Sequence, residues 1–375
     1  MRGNLPSEHG EPGTRSRVRE APPASPMEGA TRAPFGGSME IVKEAQPSDT
    51  DLAQVEEMRD IKTRIVSEIK KVIVGQEKVI EEILIALFCR GHSLLVGVPG
   101  LAKTLLISTL AGIMELQFNR VQFTPDLMPS DITGTDILEE EAVSKRRSFR
   151  FLKGPLFTNI LLADEINRTP PKTQAALLQA MQEYKVTAGG FTYPLELPFF
   201  VLATQNPIEQ EGTYPLPEAQ LDRFMFNISI DYPPLDQEME IVATTTSSYH
   251  PALEKVINGE KIVEMQELVR RVPASQHVIR YAVMLARASR PKEEEGLPFV
   301  KEWVEWGAGP RASQYLILAA KARAIMNDGY VASVEDVKAV AHSILRHRII
   351  TNFRAQAEGV TSLGVIERLI EGIKP

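Results

Sequence analysis

The sequence predicts an α/β domain built on a parallel sheet, followed by a small all-helical domain. Short apolar runs of strand length alternate with helical patterns up to Pro233-Pro234, which favours parallel strands joined by right-handed crossovers. The run Ser93–Val96 is joined to an apolar helical segment by a loop that contains Gly97 and Gly100. From Leu235 onwards the apolar spacing is mostly helical. We therefore expect an α/β core with a helical lid.

The predicted elements of the first domain follow one another in a simple order. An amphipathic helix begins near Asp51, and residues 72–76 separate it from a second helix that ends at Arg90. The expected buried strands are Ser93–Val96, Arg120–Phe123, Asn159–Ala163, Phe199–Thr204 and Phe226–Ile230. A helix is expected from Pro171 to Glu183, and Gly189-Gly190 is typical of the two-residue turn of a β-hairpin.

The predicted domain boundaries follow from changes in composition. Residues 1–50 are rich in Pro, Gly and Ser with few aliphatic side chains, so this segment is predicted to be a disordered tail. Residues 51–234 would form the α/β domain, and residues 235–375 the helical lid. The lid helices are expected at Pro310–Met326, from the Ser333–Asp336 capping pair to Leu345, and at Thr361–Ile373.

Length and composition are those of an ordinary two-domain protein. The chain has 375 residues, 43% of them hydrophobic, and a domain typically takes ~150 residues. A net charge of −7 argues against a surface built mainly for nucleic acid. The single cysteine, Cys89, excludes intramolecular disulfides and multi-cysteine metal sites, and fits a cytoplasmic location. No apolar run reaches the ~18 residues of a transmembrane helix, and the N-terminus shows no secretory signal.

The loop after the first predicted strand has the composition of a phosphate-binding loop. Gly97 and Gly100 let several backbone N–H groups turn inwards, and the following helix adds partial positive charge at its N-terminus. Lys103 would neutralise the β- and γ-phosphates of a nucleotide, and the Thr104 hydroxyl would bind Mg²⁺. The candidate nucleotide-binding residues here are Gly97, Val98, Pro99, Gly100, Leu101, Ala102, Lys103, Thr104 and Leu105. A simple glycine turn between a strand and a helix is the alternative.

One position departs from the usual pattern of such loops. Phosphate loops of this kind carry glycine directly before the lysine, and here that position is Ala102. We expect the alanine to be tolerated, because a methyl group is compatible with a right-handed first turn of the helix.

Polar residues follow two of the later predicted strands. Asp164 and Glu165 come at the end of the third strand, where Asp164 would join Thr104 in binding Mg²⁺ and Glu165 would act as the general base. Asn206 follows the fourth strand, and the carboxyl ends of strands in an open α/β sheet face the ligand crevice. Asn206 would therefore touch the γ-phosphate or the attacking water, although an ordinary Asn-Pro turn is an equal alternative.

A set of longer motifs runs through both predicted domains. They are Gln122–Gly134 (QFTPDLMPSDITG), Gly154–Phe157, Ala163–Arg168, Ala203–Pro207, Glu211–Phe224, Gly309–Ser313 and Leu345–Ile349. Together they resemble the motifs of the MoxR family of AAA+ ATPases, which has an insert in its helix 2 and is related to magnesium chelatase ATPase subunits. The resemblance extends from about Val72 to Ile349, and alanine before the lysine is usual for that family.

The resemblance implies a ring-forming ATPase, expected as a homohexamer, with ATP and Mg²⁺ as its ligands. By the same resemblance Asn206 is the first sensor, Arg223 is the arginine finger that reaches the neighbouring subunit's nucleotide, and Arg311 is the second sensor. The segment against adenine would be Val74, Gly75 and Gln76. An arginine supplied across an interface accelerates GTPases by about 10³–10⁵-fold, so hydrolysis would require assembly. On the residues alone, Arg223 would be a surface ion-pair residue and Arg311 a helix-end charge.

The resemblance also implies a chaperone that couples Mg-ATP hydrolysis to remodelling, maturation, or cofactor or metal insertion of a client metalloenzyme or other complex. The chain shows no von Willebrand factor A domain, so such a partner would be a separate protein. A nucleic-acid translocase of the MCM type is one alternative, since it shares the insert, predicted here at Asp136–Phe151 with Lys145-Arg146-Arg147. The acidic run Glu139-Glu140-Glu141 opposes phosphate binding there. A nucleotide-gated scaffold without turnover is the other alternative, but it would not need a general base and an arginine finger.

Overall fold

In the computed structural model, the described residues are 49–140, 147–207, 212–247, 251–327 and 329–374. Residues 1–48 of the predicted tail lie outside this range, as do residues 141–146 of the predicted insert. The first helix begins at Asp49, slightly before its predicted start near Asp51.

A parallel sheet lies at the centre of the α/β region. The strands, in chain order, are β1 Ser93–Val96, β2 Phe118–Gln122, β3 Gly134–Glu140, β4 Arg147–Lys153, β5 Ile160–Asp164, β6 Lys185–Ala188, β7 Phe191–Pro194, β8 Phe200–Gln205, β9 Phe226–Ser229, β10 Val304–Trp306 and β11 Ile350–Thr351. In the described part of the chain, five strands form the sheet in the order β2-β5-β8-β1-β9, with every neighbouring pair parallel. All five predicted strands are confirmed. The carboxyl ends of β1, β5 and β8 therefore meet at one edge of the sheet.

The sheet is covered on both faces, which explains why its strands are nearly continuous apolar runs. Successive residues of a strand point to opposite faces. Leu95 and Leu162 belong to the larger apolar core, whereas Leu94 and Leu161 belong to a second core on the opposite face. Because both faces are buried, the strand ends hold the loops above them in fixed positions.

The helices, in chain order, are α1 Asp49–Lys70, α2 Glu77–Phe88, α3 Lys103–Ile113, α4 Pro129–Thr133, α5 Pro171–Glu183, α6 Glu218–Leu221, α7 Leu235–Thr245, α8 Gly259–Arg271, α9 Gln276–Ala288, α10 Pro298–Trp303, α11 Pro310–Met326, α12 Val334–Leu345, α13 Phe353–Ala357 and α14 Ser362–Gly372. The predicted capping pair is confirmed at the start of α12. The Ser333 hydroxyl accepts from the Asp336 N–H, and the Asp336 carboxylate accepts from the Ser333 N–H. Among the described residues, no helix combines the length and the apolar character needed to cross a membrane.

The helices after Leu235 pack on the first helices of the chain. Met58 of α1 and Ile83 of α2 lie in the same apolar core as Leu285 of α9 and Leu316 of α11. The prediction of a mainly helical lid is confirmed, and a short antiparallel pair of strands, β10 and β11, is an addition that the sequence pattern does not indicate. The boundary between residues 234 and 235 stays a prediction.

Two antiparallel hairpins pack against each other beside the sheet. The predicted insert forms the hairpin β3–β4, and the predicted Gly189-Gly190 turn joins β6 to β7. The rings of Phe151 and Tyr193 stack between the hairpins with their centroids 4.2 Å apart. Arg150 lies 3.5 Å from Glu139 across the first hairpin, and Lys145 and Arg146 of the insert fall outside the described residues.

Candidate nucleotide-binding site

A pocket of about 450 Å³ opens where the carboxyl ends of β1, β5 and β8 meet the loop before α3. We call it the phosphate-loop pocket. It is lined by Pro99, Gly100, Leu101, Ala102, Lys103, Thr104, Leu105, Arg120, Gln122, Asp164, Glu165, Thr204 and Asn206. The structure thus brings together most of the predicted phosphate-loop residues, both predicted strand-end carboxylates and Asn206.

The backbone of the loop explains which positions need glycine. A Cβ atom on Gly97 would lie 2.5 Å from the carbonyl oxygen of Ile230, so the residue that follows β9 leaves no room for a side chain there. Gly100 has a φ of +88°, which favours glycine. The expected right-handed conformation of Ala102 is wrong, because this residue has φ 54° and ψ 23° before the first residue of α3. A left-handed conformation costs a non-glycine residue about 1–2 kcal/mol, which is why glycine is usual at this position.

Lys103 lies at the floor of the pocket, where its ammonium group donates to the carbonyl oxygen of Gly97. Burial lowers the pKa of Lys103, while the nearby charges of Asp164 and Glu165 oppose that shift. A partly desolvated ammonium group beside an open cavity attracts anions more strongly than one in bulk water. The position therefore suits the phosphates of a nucleotide.

The two strand-end carboxylates are held by residues of neighbouring strands. Asp164 Oδ1 accepts from the Thr204 hydroxyl at 2.6 Å, and Asp164 Oδ2 accepts from Arg120 Nη2 at 2.6 Å and from Arg120 Nε at 3.1 Å. Glu165 Oε2 accepts from Gln122 Nε2 at 2.7 Å, and the N–H of Glu165 donates to the Thr204 hydroxyl oxygen at 2.8 Å. Both carboxylates thus face the pocket with their orientation fixed.

Three residues of the pocket were not predicted as site residues from the sequence, namely Arg120, Gln122 and Thr204. Arg120 and Gln122 alternate on β2, so they share one side of that strand, and Gln122 is the register partner of Asp164. The alternation is visible in the sequence. The pairing of β2 with β5, which directs these side chains to the carboxylates, is not.

The oxygen ligands of the pocket fit Mg²⁺. Thr104 and Asp164 line the same cavity and offer a hydroxyl and a carboxylate oxygen, which are hard ligands. Within the described residues, no group of three or more His, Cys, Asp or Glu side chains could hold a metal ion. Mg²⁺ sites of this kind have few protein ligands, because substrate phosphates and water complete the coordination.

The remaining predicted residues near the pocket are Asn206 and the segment Val74, Gly75 and Gln76. Asn206 is buried at the end of β8 and lines the pocket. Gln76 Nε2 donates to the carbonyl oxygen of Leu101 at 3.5 Å, which places the predicted adenine segment next to the phosphate loop. The Gln76 Oε1 atom is buried without a hydrogen-bond partner, and Gly75 has a φ of +70°.

Arg223 and Arg311 lie outside the lining of the phosphate-loop pocket. Arg223 Nη1 donates to the carbonyl oxygen of Leu178 at 2.9 Å, and Arg311 Nη1 donates to Asp222 Oδ2 at 2.9 Å. Asp222 Oδ1 also accepts from the buried Arg348 at 2.7 Å. We call the group formed by Asp222, Arg223, Arg311 and Arg348 the arginine cluster.

A larger cleft of about 520 Å³ lies between α6 and the strand pair β10–β11. Its lining includes Asp222, Trp306 and His347, but it contains neither the glycine loop nor the lysine and threonine that follow it. Chemistry rather than volume therefore identifies the nucleotide site. The fold and the phosphate-loop pocket together place the chain in the class of phosphate-loop ATPases.

Comparison with known proteins identifies the family. The family model described as "ATPase family associated with various cellular activities (AAA)" matches residues 92–226, and an AAA lid domain model matches residues 299–369. The chain is 40% identical to Chaperone MoxR1 of Mycobacterium tuberculosis over 92% of its own length and 90% of that protein. It is 30% identical to Protein MoxR of Methylorubrum extorquens over 79% and 90% of the two chains. The chain belongs to the MoxR family of AAA ATPases, and it is an ATP-hydrolysing enzyme.

A solved structure agrees with this fold. A crystal structure of a Cytophaga hutchinsonii protein described as a candidate ATPase has a TM-score of 0.80 and 42% sequence identity, and the match covers 87% of this chain and 98% of that one. The comparisons give no support to the alternative of a nucleic-acid translocase. They agree with the predicted order of an α/β AAA domain followed by a helical lid.

Proposed function

We propose that this chain is a Mg²⁺-dependent, ring-forming ATPase of the MoxR chaperone type. The observation that carries the proposal is the meeting of Lys103, Thr104 and Asp164 in one pocket. These three residues come from a loop and a strand that are sixty residues apart in the sequence, and a chance glycine turn would not bring them together. The alternative of a simple glycine turn is therefore set aside.

Each residue of the pocket has a defined task in this proposal. Lys103 holds the β- and γ-phosphates, and Thr104 and Asp164 hold Mg²⁺, which supplies charge neutralisation between the phosphates when it is bound. Glu165 accepts a proton from the attacking water, because it lies beside Asp164 at the same strand end. Asn206 orients the γ-phosphate or the water, and Val74, Gly75 and Gln76 lie against the base.

Arg223 is proposed to serve the pocket of a neighbouring subunit, and Arg311 is proposed to be the second sensor, carried by the lid. Neither lines the pocket of its own chain, and Arg311 contacts Asp222, the residue before Arg223. An arginine delivered across an interface ties turnover to assembly. A homohexameric ring is the arrangement that the family resemblance implies.

The cellular role proposed here follows from the relatives. One of them is named a chaperone, which supports coupling of ATP hydrolysis to the remodelling or maturation of a partner complex. Metal or cofactor insertion into a client, a separate partner with a von Willebrand factor A domain, and a cytoplasmic location remain part of the proposal. No observation on the described residues favours a second function.

Mixing two inactive variants tests this arrangement. Glu165→Gln should retain ATP binding and lose turnover by ~10²–10⁴-fold, because the general base is gone. Arg223→Ala should also retain binding and lose turnover. In a mixed oligomer an Arg223→Ala subunit still carries Glu165, and a Glu165→Gln neighbour still carries Arg223, so one kind of interface is complete. ATPase assays on the mixture should therefore show activity that neither variant has alone.

The matched control mixes Glu165→Gln with Lys103→Ala. Each of these changes damages the pocket of its own subunit, so no interface in the mixed oligomer is complete and no activity should return. Recovery in both mixtures, or in neither, would contradict the proposal that Arg223 acts on the neighbouring pocket.

A further inference from the structure

The carboxylate of Asp164 has both of its oxygens engaged by the chain itself. Thr204 donates to Oδ1, while the Arg120 guanidinium approaches Oδ2 with two nitrogens at 2.6 and 3.1 Å. A cationic group, the Arg120 guanidinium, therefore already contacts Oδ2. Arg120 lines the same pocket as Thr104, the other proposed Mg²⁺ ligand.

The Arg120 side chain is held in a way that allows it to leave. It lies on β2, the edge strand of the sheet, and its side chain is 48% exposed. Besides Asp164 it donates to Gln122 Oε1 at 3.2 Å, which is a weak neutral contact. Asp164 is only 18% exposed, but water reaches the arginine side of the pair and weakens it. A divalent cation held also by Thr104 and by phosphates can therefore displace the guanidinium.

We propose that Arg120 is the internal counter-ion of Asp164 and that it competes with Mg²⁺ for Asp164 Oδ2. In the nucleotide-free site the guanidinium neutralises the carboxylate. With Mg²⁺ and nucleotide bound, Asp164 Oδ2 would hold the metal ion, and Arg120 would no longer contact that oxygen. The inference rests on the proposed function, because it assumes that Asp164 holds Mg²⁺ in a nucleotide site.

The competition has a consequence that a structural ion pair would not have. Without metal, Arg120 shields the nucleotide phosphates from the negative charge of Asp164. If Arg120 is removed, the bare carboxylate repels the phosphates until Mg²⁺ neutralises it. The coupling between metal and nucleotide binding should therefore become stronger. A purely structural role would change stability but would leave this coupling unchanged.

The test is the ratio of two dissociation constants for ADP, measured by calorimetry in EDTA and in saturating Mg²⁺. We expect the ratio to rise roughly 2–5-fold in Arg120→Gln, because ion pairs with a solvent-exposed partner contribute up to about 1 kcal/mol. Arg120→Lys keeps the charge but loses the two-nitrogen contact and should lie in between. The concentration of Mg²⁺ that gives half-maximal ADP binding should be highest in wild type, lower in Arg120→Lys and lowest in Arg120→Gln.

Two controls isolate the effect. Arg150→Gln removes the same charge from an exposed hairpin position paired with Glu139, and the ratio should stay at the wild-type value. On an Asp164→Asn background, Arg120→Gln should no longer change the ratio, because the contested carboxylate is absent. Melting temperatures of the variants show whether each one is folded.

The outcomes separate this inference from the proposed function. If wild-type protein binds Mg-ADP and Arg120→Gln and Arg120→Lys leave the ratio unchanged or lower it, the competition does not exist and the proposed function stands. If the ratio also rises in Arg150→Gln, general charge rather than Asp164 is responsible, and the inference is wrong. If wild-type protein binds no ADP in either buffer, both proposals are wrong.

Discussion

The phosphate-loop pocket and the arginine cluster differ in what surrounds their charged side chains. In the pocket, Lys103 and Asp164 face an open cavity of about 450 Å³, and burial lowers the pKa of the lysine. In the arginine cluster, Arg311 and Arg348 both donate to Asp222, so those charges are largely satisfied within the chain. In the pocket a cavity separates the charged side chains, whereas in the cluster Arg311 and Arg348 contact the Asp222 carboxylate directly.

This difference in surroundings suggests that nucleotide binding and control of turnover belong to different regions. The loop, the proposed metal ligands Thr104 and Asp164, and the proposed general base Glu165 all line one cavity of a single chain. The arginine cluster is positioned by its own chain, and its Arg223 acts, in the function proposed above, on a nucleotide held elsewhere. Changes in the two regions should therefore separate binding from turnover.

The largest expected effect comes from Arg223→Ala. Turnover by the assembled oligomer should fall by about 10³–10⁵-fold, the magnitude found for arginines supplied across GTPase interfaces. ADP binding should be unchanged, because Arg223 does not line its own pocket. Calorimetry and a steady-state ATPase assay measure the two quantities. Lys103→Ala is the matched comparison and should lose both ADP binding and turnover. If Arg223→Ala lost ADP binding to the same extent, Arg223 would act on the nucleotide of its own subunit.

Much of the phosphate-loop pocket could be predicted because its signals are local. A strand, a loop with Gly97 and Gly100, a lysine and threonine, and a helix lie within about twenty consecutive residues. The positions of Asp164 and Asn206 follow from the rule that parallel strands end at the same edge. The five strands and the capped helix at Ser333 were predictable for the same reason, since period and capping residues are read within a short window.

What could not be predicted depends on pairing between distant segments. Arg120 reaches Asp164 only because β2 pairs with β5, and that pairing leaves no trace in either segment alone. The contact between Arg348 and Asp222 joins residues more than a hundred positions apart. The left-handed conformation of Ala102 was missed because composition alone suggests an ordinary helix start.

A second prediction concerns the stability of the arginine cluster. The Arg348 side chain is almost fully buried and donates to Asp222 Oδ1, to the Asp222 carbonyl oxygen and to the Phe224 carbonyl oxygen. Arg348→Met would remove these hydrogen bonds, while the Asp222 carboxylate keeps its contact with Arg311. Loss of hydrogen bonds from a buried charged group costs about 1.5–3 kcal/mol of unfolding free energy. Urea denaturation should show that loss.

The control for this prediction is Arg354→Met. Arg354 pairs with Glu302 and Glu358 but is largely exposed, so its replacement should cost under about 1 kcal/mol. Where the Arg348→Met protein remains folded, its ADP binding should match wild type, because the pocket does not depend on the cluster. Equal unfolding free energies for the two variants would show that the buried pair does not hold the cluster together.

The smallest expected effect is on the pH dependence of stability, and it compares a histidine buried at the central sheet with one beside the arginine cluster. His92 at the base of β1 accepts from the Val201 N–H and donates to the Met181 carbonyl oxygen, and burial lowers its pKa to about 4. His347 bonds to the Phe224 carbonyl oxygen beside the arginine cluster, and burial holds its pKa well below the usual 6.5. His92 is therefore neutral in the folded protein at pH 5, whereas a histidine of the unfolded chain is protonated there, and the pKa of His347 is shifted in the same direction.

The sign follows from proton counting. Between the lowered folded pKa and 6.5 the unfolded state binds more protons, so stability falls as pH falls through that window. For His92 the loss between pH 7 and pH 5 should be roughly 2 kcal/mol. The measurement is the unfolding free energy at both pH values for wild type, His92→Gln and His347→Gln, because carboxylate titration cancels in the difference. Each variant should show a smaller acid-induced loss than wild type. An unchanged loss in His347→Gln together with a reduced loss in His92→Gln would mean that the contact beside the arginine cluster opens before the sheet does, and that the cluster is the less stable of the two regions.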